Sequence, residues 1–246
     1  MWMLLTRARR TRGHSSLVPT GYWVPRMCFK TPEEIVKFWF GLDTCSLSDP
    51  RLNTIEYIEA RMKIWFARAD PTFEAVQSMN AELVTEVSAS NPAMWSDDHN
   101  AIVLLAKIIL FDQFPRSIWR GTSNAFAFDQ YATNCVIRIL EHNLWSQFQP
   151  VHRLFIILSL QHSEDMKNQE LGATIIKNIN ENCLNPDVTN FFINLPGFHT
   201  EHYDVMKRFN RFPGRNAAMN REPTKEETEF LNSPECPQWC KSQRKV

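Results

Sequence analysis

Three separate stretches of this sequence place charged and polar side chains among aromatic residues, where they could bind or react with a ligand. In the first stretch, Asp112, Gln113 and Arg116 alternate with phenylalanines, and Arg120 follows about one helical turn later. Charged groups in an apolar setting normally need partners. We therefore expect either an Asp–Arg pair that fixes the end of a helix or the polar wall of a binding pocket.

The second stretch contains the side chain best suited to proton transfer at neutral pH. Free histidine titrates near pH 6.5, so His162 is a candidate general acid or base, with Glu164 or Asp165 orienting its ring. The alternative is structural: if Ser163 caps a helix, both acids lie in its first turn, where the helix dipole favours negative charge by about 0.3–1 kcal/mol. His162 would then be a structural hydrogen-bond donor.

The third stretch is rich in cations interleaved with phenylalanines: Lys207, Arg208, Arg211, Arg215 and Arg221. Arg208 and Arg211 fit one helical face, and the Pro-Gly pair that follows would end the helix and let Arg215 fold back toward them. Guanidinium groups bind phosphate and carboxylate bidentately, which makes the cluster typical of an anion clamp. Two alternatives stay open: a basic, aromatic surface for RNA, which we do not favour, and a solvated cationic face.

Together the three stretches provide the candidate ligand-binding residues: Asp112, Gln113, Arg116, Arg120, Gln169, His202, Arg208, Arg211, Arg215 and Asn216. His199 and His202 do not have the spacing of a zinc-protease helix. The close pair Cys236 and Cys240 lacks two further ligands at comparable spacing. We therefore expect no metal ion and no cofactor.

Helix-start signals divide the chain into the elements that must position these residues. Capping boxes at Thr31 and Thr224 mark two helix starts. Because Pro115 disfavours helical backbone at Phe114, we expect the chain to turn there. Apolar stripes at helical spacing predict the other helices, over residues 51–68, 71 to Asn91-Pro92, Asp97 or Asp98 to 111, Thr122 or Ser123 to about 141, Pro150 onward, and Ser163 to about 183.

The helix count and the composition predict an all-α fold of antiparallel helix pairs, in a tetratricopeptide-repeat-like superhelix or bundle. Only 7 glycines accompany 8 tryptophans and 17 phenylalanines, which argues against a turn-rich all-β architecture. The longest apolar run, from Ala101 to Phe111, is interrupted by Lys107 and is too short to cross a membrane.

Charge is balanced over the whole chain but concentrated at its start. The 27 basic and 27 acidic residues give no net charge, so the overall balance does not suggest a general nucleic-acid binder. Residues 1–30 are rich in arginine and contain no acid, as in a transit peptide, which favours the mitochondrial matrix. A disordered basic tail, or a cytoplasmic form starting at Met27, is the alternative. We expect a leader over 1–30, a single helical domain over 31–232 and a tail over 233–246.

At these stretches the sequence resembles an uncharacterised, largely bacterial family, domain of unknown function 924. The motifs that carry the resemblance run in one order from about residue 31 to 231: Phe38-Trp-Phe-Gly41, Trp65-Phe66, Asp112-Gln-Phe-Pro-Arg116, Arg120-Gly-Thr122, Ala125-Phe-Ala127 with Asp129, His162-Ser-Glu-Asp165 with Gln169, Arg211-Phe-Pro, Arg215-Asn216, Arg221, Glu226-Glu227 and Phe230-Leu231. The resemblance implies an all-helical fold similar to tetratricopeptide-repeat superhelices and no established reaction.

The sequence departs from the family pattern at three positions. Asn210 stands where relatives commonly have glycine, Ser117 where they have asparagine, and Gly214 where they have histidine. If that histidine does chemistry in relatives, this protein has kept the binding pocket and lost the activity.

Three functional hypotheses result. The first, which we favour, is a helical-repeat module that holds an anionic small molecule or a peptide carboxylate on its arginines, with Asp112, Gln113 and Gln169 orienting them. The second is a hydrolase or transferase acting on a small phosphorylated or carboxylated compound, with His162 as acid or base. The third is a structural subunit of a mitochondrial assembly, which would bind protein partners through its aromatic surface and the basic tail at Lys241, Arg244 and Lys245.

Overall fold

A computed structural model of the protein describes residues 27–67, 69–88 and 95–241. Within these ranges the chain forms α-helices, short 3₁₀ turns and a π-helical turn but no strand, so the all-α prediction is confirmed. None of these helices is long and apolar enough to cross a membrane. The helices are α1 (Pro32–Phe40), α2 (Ile55–Ala67), α3 (Pro71–Met79), α4 (Ala81–Ser88), α5 (Ala101–Ile108), α6 (Phe114–Ile118), α7 (Asp129–Glu141), α8 (Pro150–Gln161), α9 (Met166–Ile175), α10 (Pro186–Phe192), α11 (Leu195–Phe209) and α12 (Lys225–Asn232).

The strongest predicted helix starts are confirmed. Thr31 and Thr224 each form a complete capping box, in which the hydroxyl accepts from the third helical N–H while the glutamate there accepts from the cap N–H. Asp70 caps α3, and Pro150 opens α8 in the position where proline is best tolerated.

Two helices begin at a different cap from the predicted one. Asn100, rather than Asp97 or Asp98, caps α5, and its side chain accepts from an N–H of the first turn at 2.9 Å. Asp165, rather than Ser163, caps α9 in the same way, also at 2.9 Å. In both cases the true cap lies two residues beyond a residue of similar capping strength, a difference that propensity alone does not resolve.

Other predicted helices are interrupted. The helix predicted from 71 onward is divided into α3 and α4 at Asn80. The Asn80 side chain accepts a hydrogen bond from the Phe29 N–H at 2.7 Å. The helix predicted from 122 or 123 is first a 3₁₀ turn, Ser123–Ala125, and α7 begins only at Asp129. The helix predicted to reach about 183 ends at Ile175 and tightens into a 3₁₀ turn.

The predicted turn at Phe114 is wrong, because the chain continues as helix past Pro115. Between α5 and α6 it widens into a π-helical turn, Ile109–Gln113, and the Phe114 N–H bonds to the Ile109 carbonyl five residues back. Pro115 then lies in the first turn of α6, where its missing N–H costs no hydrogen bond. Such π turns occur frequently at functional sites.

Helix α8 is the centre of the core. All its residues, including His152 and Arg153, are buried, and it packs against α5, α7, α9 and α11. A helix that is apolar nearly all round needs cover on every side. The residue that follows it, His162, is therefore positioned by a helix that is buried along its whole length.

A smaller apolar cluster covers the C-terminal part of the described chain. It joins α11, α12 and the segment 236–241, with Met206, Phe212 and Phe230 buried beside Cys236 and Cys240. The predicted tail is therefore packed against the helices as far as Lys241. The division into leader, domain and tail stays a prediction.

Several expectations concern residues outside the described ranges. These are most of the basic leader (1–26), the Asn91-Pro92 helix end, and Arg244 and Lys245 of the tail.

Candidate functional site

Asp112 lies wholly buried at the centre of a polar cluster that joins the first two stretches of the sequence. Its Oδ1 is 2.7 Å from Nδ1 of His162 and 3.0 Å from an Nη of Arg116. Its Oδ2 accepts from the Gln113 amide at 2.5 Å. The π turn supplies Asp112 and Gln113, α6 supplies Arg116, and the end of α8 supplies the histidine.

The surroundings fix the charge of both groups. Burial alone would raise the pKa of Asp112, but the neighbouring His162 and Arg116 hold that pKa well below its usual range. Burial, together with the Arg116 charge, lowers the pKa of His162, although Asp112 acts in the opposite direction. At neutral pH the site therefore holds an ionised carboxylate and a neutral imidazole.

The same contacts fix which ring nitrogen carries the proton. A carboxylate can only accept, so Nδ1 of His162 donates to Asp112. The Nε of Arg116 lies 3.2 Å from the same nitrogen, a longer contact that a protonated Nδ1 cannot accept. Nε2 is therefore left with the lone pair, as in other Asp–His pairs that orient an imidazole.

Asp129 joins Arg116 to Arg215, which comes from the third stretch. Arg116 donates to Asp129 at 2.8 Å and to the Ala125 carbonyl at 3.0 Å. Arg215 donates to the other Asp129 oxygen at 3.2 Å and to the His162 carbonyl at 2.6 Å. One carboxylate thus holds guanidinium groups from two stretches that lie far apart in the sequence.

These groups border a cavity of about 210 Å³, far larger than the roughly 10–15 Å³ that one water molecule needs. Much of its lining is aromatic: Trp39, Trp65, Phe66, Phe73, Phe126 and Phe212. The main polar side chains of the lining are Glu74, Gln113, Arg116, Arg120, His162 and Arg215. Asp112 and Asp129 are not part of the lining and lie behind the arginines.

The structure brings only part of the predicted ligand-binding set to the cavity. Gln113, Arg116, Arg120, His202 and Arg215 line it. Asp112 supports it from behind, and the lining does not include Gln169, Arg208, Arg211 or Asn216.

Two predicted cations belong instead to the contact between α11 and α12. Arg208 pairs with Glu226 at 2.8 Å. Arg211 pairs with both oxygens of Glu227 at 2.6 and 2.8 Å, and Asn216 donates to the same carboxylate at 3.1 Å. The hydrogen bond from Arg211 lowers the pKa of Glu227 to about 2. These pairs hold the C-terminal helix in place.

Glu164 and Asp165, predicted to orient His162, have other partners. Glu164 accepts from Arg221 at 2.7 and 3.0 Å and from the Phe212 N–H at 2.7 Å, while Asp165 caps α9. The orienting carboxylate is that of Asp112. The assignment of this role to Glu164 or Asp165 is corrected accordingly, because proximity in sequence does not bring either carboxylate to the ring nitrogen.

Gln169 helps to position His162 through hydrogen bonds to the neighbouring backbone. Its amide donates to the carbonyls of Leu160, Gln161 and Ser163 at 3.2, 2.8 and 2.8 Å. These carbonyls are at the end of α8 or just beyond it, where the regular helical hydrogen bonds stop. Gln169 therefore fixes the backbone on both sides of His162.

Sequence reasoning missed several residues of the site. Asp129 had only its place in a family motif as a signal, and Glu74, 3.5 Å from Arg120, had none. Trp39, Trp65 and Phe73 lie on the apolar stripes that predict helix cores, yet part of their surface borders the cavity.

The comparisons with known proteins are consistent with the motifs. The structure resembles that of a protein of unknown function from Agrobacterium tumefaciens, with a TM-score of 0.55 and 23% identity over 73% of this chain and 99% of that one, which shows the fold alone. No curated protein matches the chain. A family model described as bacterial protein of unknown function (DUF924) matches residues 35–235. The predicted resemblance is therefore confirmed, and the chain belongs to the DUF924 family.

Proposed function

We propose that the protein binds a small organic acid in this cavity, with the acidic group at the arginines and the apolar part against the aromatic lining. The observation that carries the proposal is that Arg116, Arg120, Arg215 and His162, from three stretches of the sequence, border one cavity whose lining is rich in aromatic residues. Binding sites for small molecules typically combine an apolar wall with a few convergent polar groups.

Arg215 is the side chain best placed to receive the acidic group. A guanidinium has five N–H donors, and Asp129 and the His162 carbonyl accept from two of its terminal nitrogens. The group is held between the rings of Phe126 and Phe212, with centroid distances of 4.3 and 4.7 Å. A guanidinium that is already oriented loses little further freedom when it binds carboxylate or phosphate.

Arg116 serves mainly to position the others. It donates to two carboxylates and a carbonyl behind the cavity, so its replacement would disturb the whole cluster. Arg120, which is 29% exposed, is the better residue for a test of binding.

Thermal-shift measurements with benzoate and phenyl phosphate, and with neutral benzamide as the matched ligand, test the proposal. A ligand at about 100 times its Kd stabilises the folded state by about 2.7 kcal/mol. We expect the acids to raise Tm, benzamide to have a smaller effect, and Arg120→Met to weaken the response. Arg208→Met, an arginine outside the cavity, is the control. An equal response to acid and amide would refute an acid-binding site, and an unchanged response in Arg120→Met would exclude Arg120 from that site.

A second candidate function is proton transfer by His162. The specific observation is the 2.7 Å contact between its Nδ1 and the buried Asp112, which leaves Nε2 as the basic nitrogen of a residue that lines the cavity. Such a pair suits a general base for hydrolysis or group transfer on the bound acid. Turnover of a phosphate ester or carboxylate ester that is lost in His162→Gln, while ligand affinity persists, would support it. Unchanged turnover in that variant would exclude it.

The finer architecture and the location in the cell also remain proposals. The helix pairs of the described chain are proposed to stack in a tetratricopeptide-repeat-like order, as the family resemblance implies. The acid-free, arginine-rich start of the sequence supports import into the mitochondrial matrix. Determination of the mature N-terminus in cells tests that proposal, since an intact Met1 on a cytoplasmic protein would overturn it.

A further inference from the structure

The 3₁₀ turn Gln238–Lys241 lies against the cavity, although it follows the last residue, 235, that the family model matches. Trp239 and Cys240 are both part of the lining. A segment outside the family match therefore forms part of the wall of the site.

Trp239 is held in a defined orientation. Its ring stacks on that of His202, with centroids 3.8 Å apart and planes 8° from parallel, and meets Phe212 edge-on at 5.5 Å. Its indole N–H donates to Glu201 at 3.2 Å. Because the indole ring of Trp239 contacts two aromatic neighbours and its N–H is hydrogen-bonded, it is a well-packed part of the cavity wall.

Gly214 allows the turn Gln238–Lys241 to approach the backbone closely, because glycine has no side chain. A Cβ atom at position 214 would lie only 2.0 Å from the Cys240 carbonyl oxygen, closer than any real contact, so a larger residue would displace the turn. Gly214 directly precedes Arg215 in the turn Pro213–Arg215. The close approach of the C-terminal segment is thus tied to the element that carries the proposed acid-binding arginine.

We propose that Trp239 is a specificity-determining residue, which sets the upper size of the ligand that the cavity accepts. The inference rests on the proposed acid-binding function. With the indole in place, the wall beside His202 and Phe212 is closed by an aromatic ring; without it, the cavity extends toward the C-terminal segment. Larger acids then fit without displacing the segment.

A series of straight-chain carboxylates, from butanoate to decanoate, measured by calorimetry on the full-length protein, tests this proposal. Burying one more methylene group improves affinity about fourfold as long as the cavity has room. We expect the gain to stop at a certain length in the unmodified protein and to continue for longer acids in Trp239→Ala. Gln238→Ala, at the exposed neighbouring position, should keep the original limit.

The outcomes separate the two proposals. The same length limit in Trp239→Ala and in the unmodified protein would overturn the role of Trp239 and leave acid binding intact. Failure of every carboxylate to bind the unmodified protein would overturn both. If Trp239→Ala does not fold, Trp239→Phe keeps an aromatic ring but removes part of the indole. It should then extend the limit by a smaller amount, and an unchanged limit would overturn the proposal.

Discussion

Replacing Asp112 by asparagine tests whether the buried carboxylate organises the site. The change keeps the size of the side chain but removes its charge, and with it two charge-assisted hydrogen bonds, to His162 at 2.7 Å and to Arg116 at 3.0 Å. Hydrogen bonds to charged groups contribute about 1.5–3 kcal/mol each. Arg116 keeps its hydrogen bond to Asp129 at 2.8 Å. The free energy of unfolding should therefore decrease by about 3 kcal/mol, the lower end of the summed contributions of the two lost bonds.

Urea unfolding of Asp112→Asn measures this loss directly, and thermal unfolding should show a decrease in Tm of roughly 6–12 °C for a domain of this size. The exposed Asp204 is the matched control, since Asp204→Asn should change stability by less than about 0.5 kcal/mol. A double-mutant cycle with His162→Gln should give a coupling energy above about 1 kcal/mol. A loss below about 1 kcal/mol for Asp112→Asn would refute the view that this carboxylate is ionised and paired.

The pH dependence of the same variant provides a second check. The folded-state pKa of Asp112 lies below that of the unfolded chain, so its contribution to stability is present above about pH 4 and is lost as the pH falls further. Asp112→Asn should lack that part of the acid sensitivity.

Two further predictions concern the central helix α8. Burial lowers the pKa of His152 to about 3, so the unfolded state binds more protons than the folded state between about pH 6.5 and 3. The free energy of unfolding should therefore fall by up to about 5 kcal/mol as the pH is lowered across that window. Urea unfolding at several pH values should show less of this loss in His152→Gln. Arg153→Met should destabilise the protein by about 3 kcal/mol or more in the same assay, because the buried guanidinium donates to the carbonyls of Trp145, Asn178, Ile179 and Glu181.

Local signals predicted the fold well where cause and effect lie within one turn of helix. The capping boxes at Thr31 and Thr224 satisfy their own backbone donors, so they needed no information from the rest of the chain. The helix after Asp70 splits at Asn80 because that side chain bonds to Phe29, which is 51 residues away. No periodicity in the sequence reports such a contact.

The same difference between local and long-range contacts explains which parts of the site could be predicted from the sequence. The three stretches were recognisable because charges among aromatic residues are unusual, and the structure brings Arg116, His162 and Arg215 together. The partner of His162 was misassigned because Glu164 is its neighbour in sequence, whereas Asp112 is 50 residues away. The π turn before Pro115 determines where the Asp112 carboxylate lies. Hydrogen bonds between residues five apart leave no distinct pattern of apolar residues in the sequence, so this turn could not be predicted.

The charges around the cavity lead to a last prediction about how an acid would bind. Among the described residues, the arginines 116, 120 and 215 are matched by Asp112, Asp129 and Glu74, and His162 is neutral at pH 7. The site therefore has no net positive charge to attract an anion from a distance. Affinity must come instead from oriented N–H donors at contact range, where salt screens little.

Binding of benzoate should accordingly weaken by less than about threefold between 0.05 and 0.5 M NaCl. Glu74→Gln removes one negative charge beside Arg120 without removing any arginine. That variant should bind benzoate more tightly and with a steeper salt dependence, because the cluster then carries a net positive charge. A steep salt dependence in the unmodified protein would show that long-range attraction dominates and that the oriented donors are not the basis of binding.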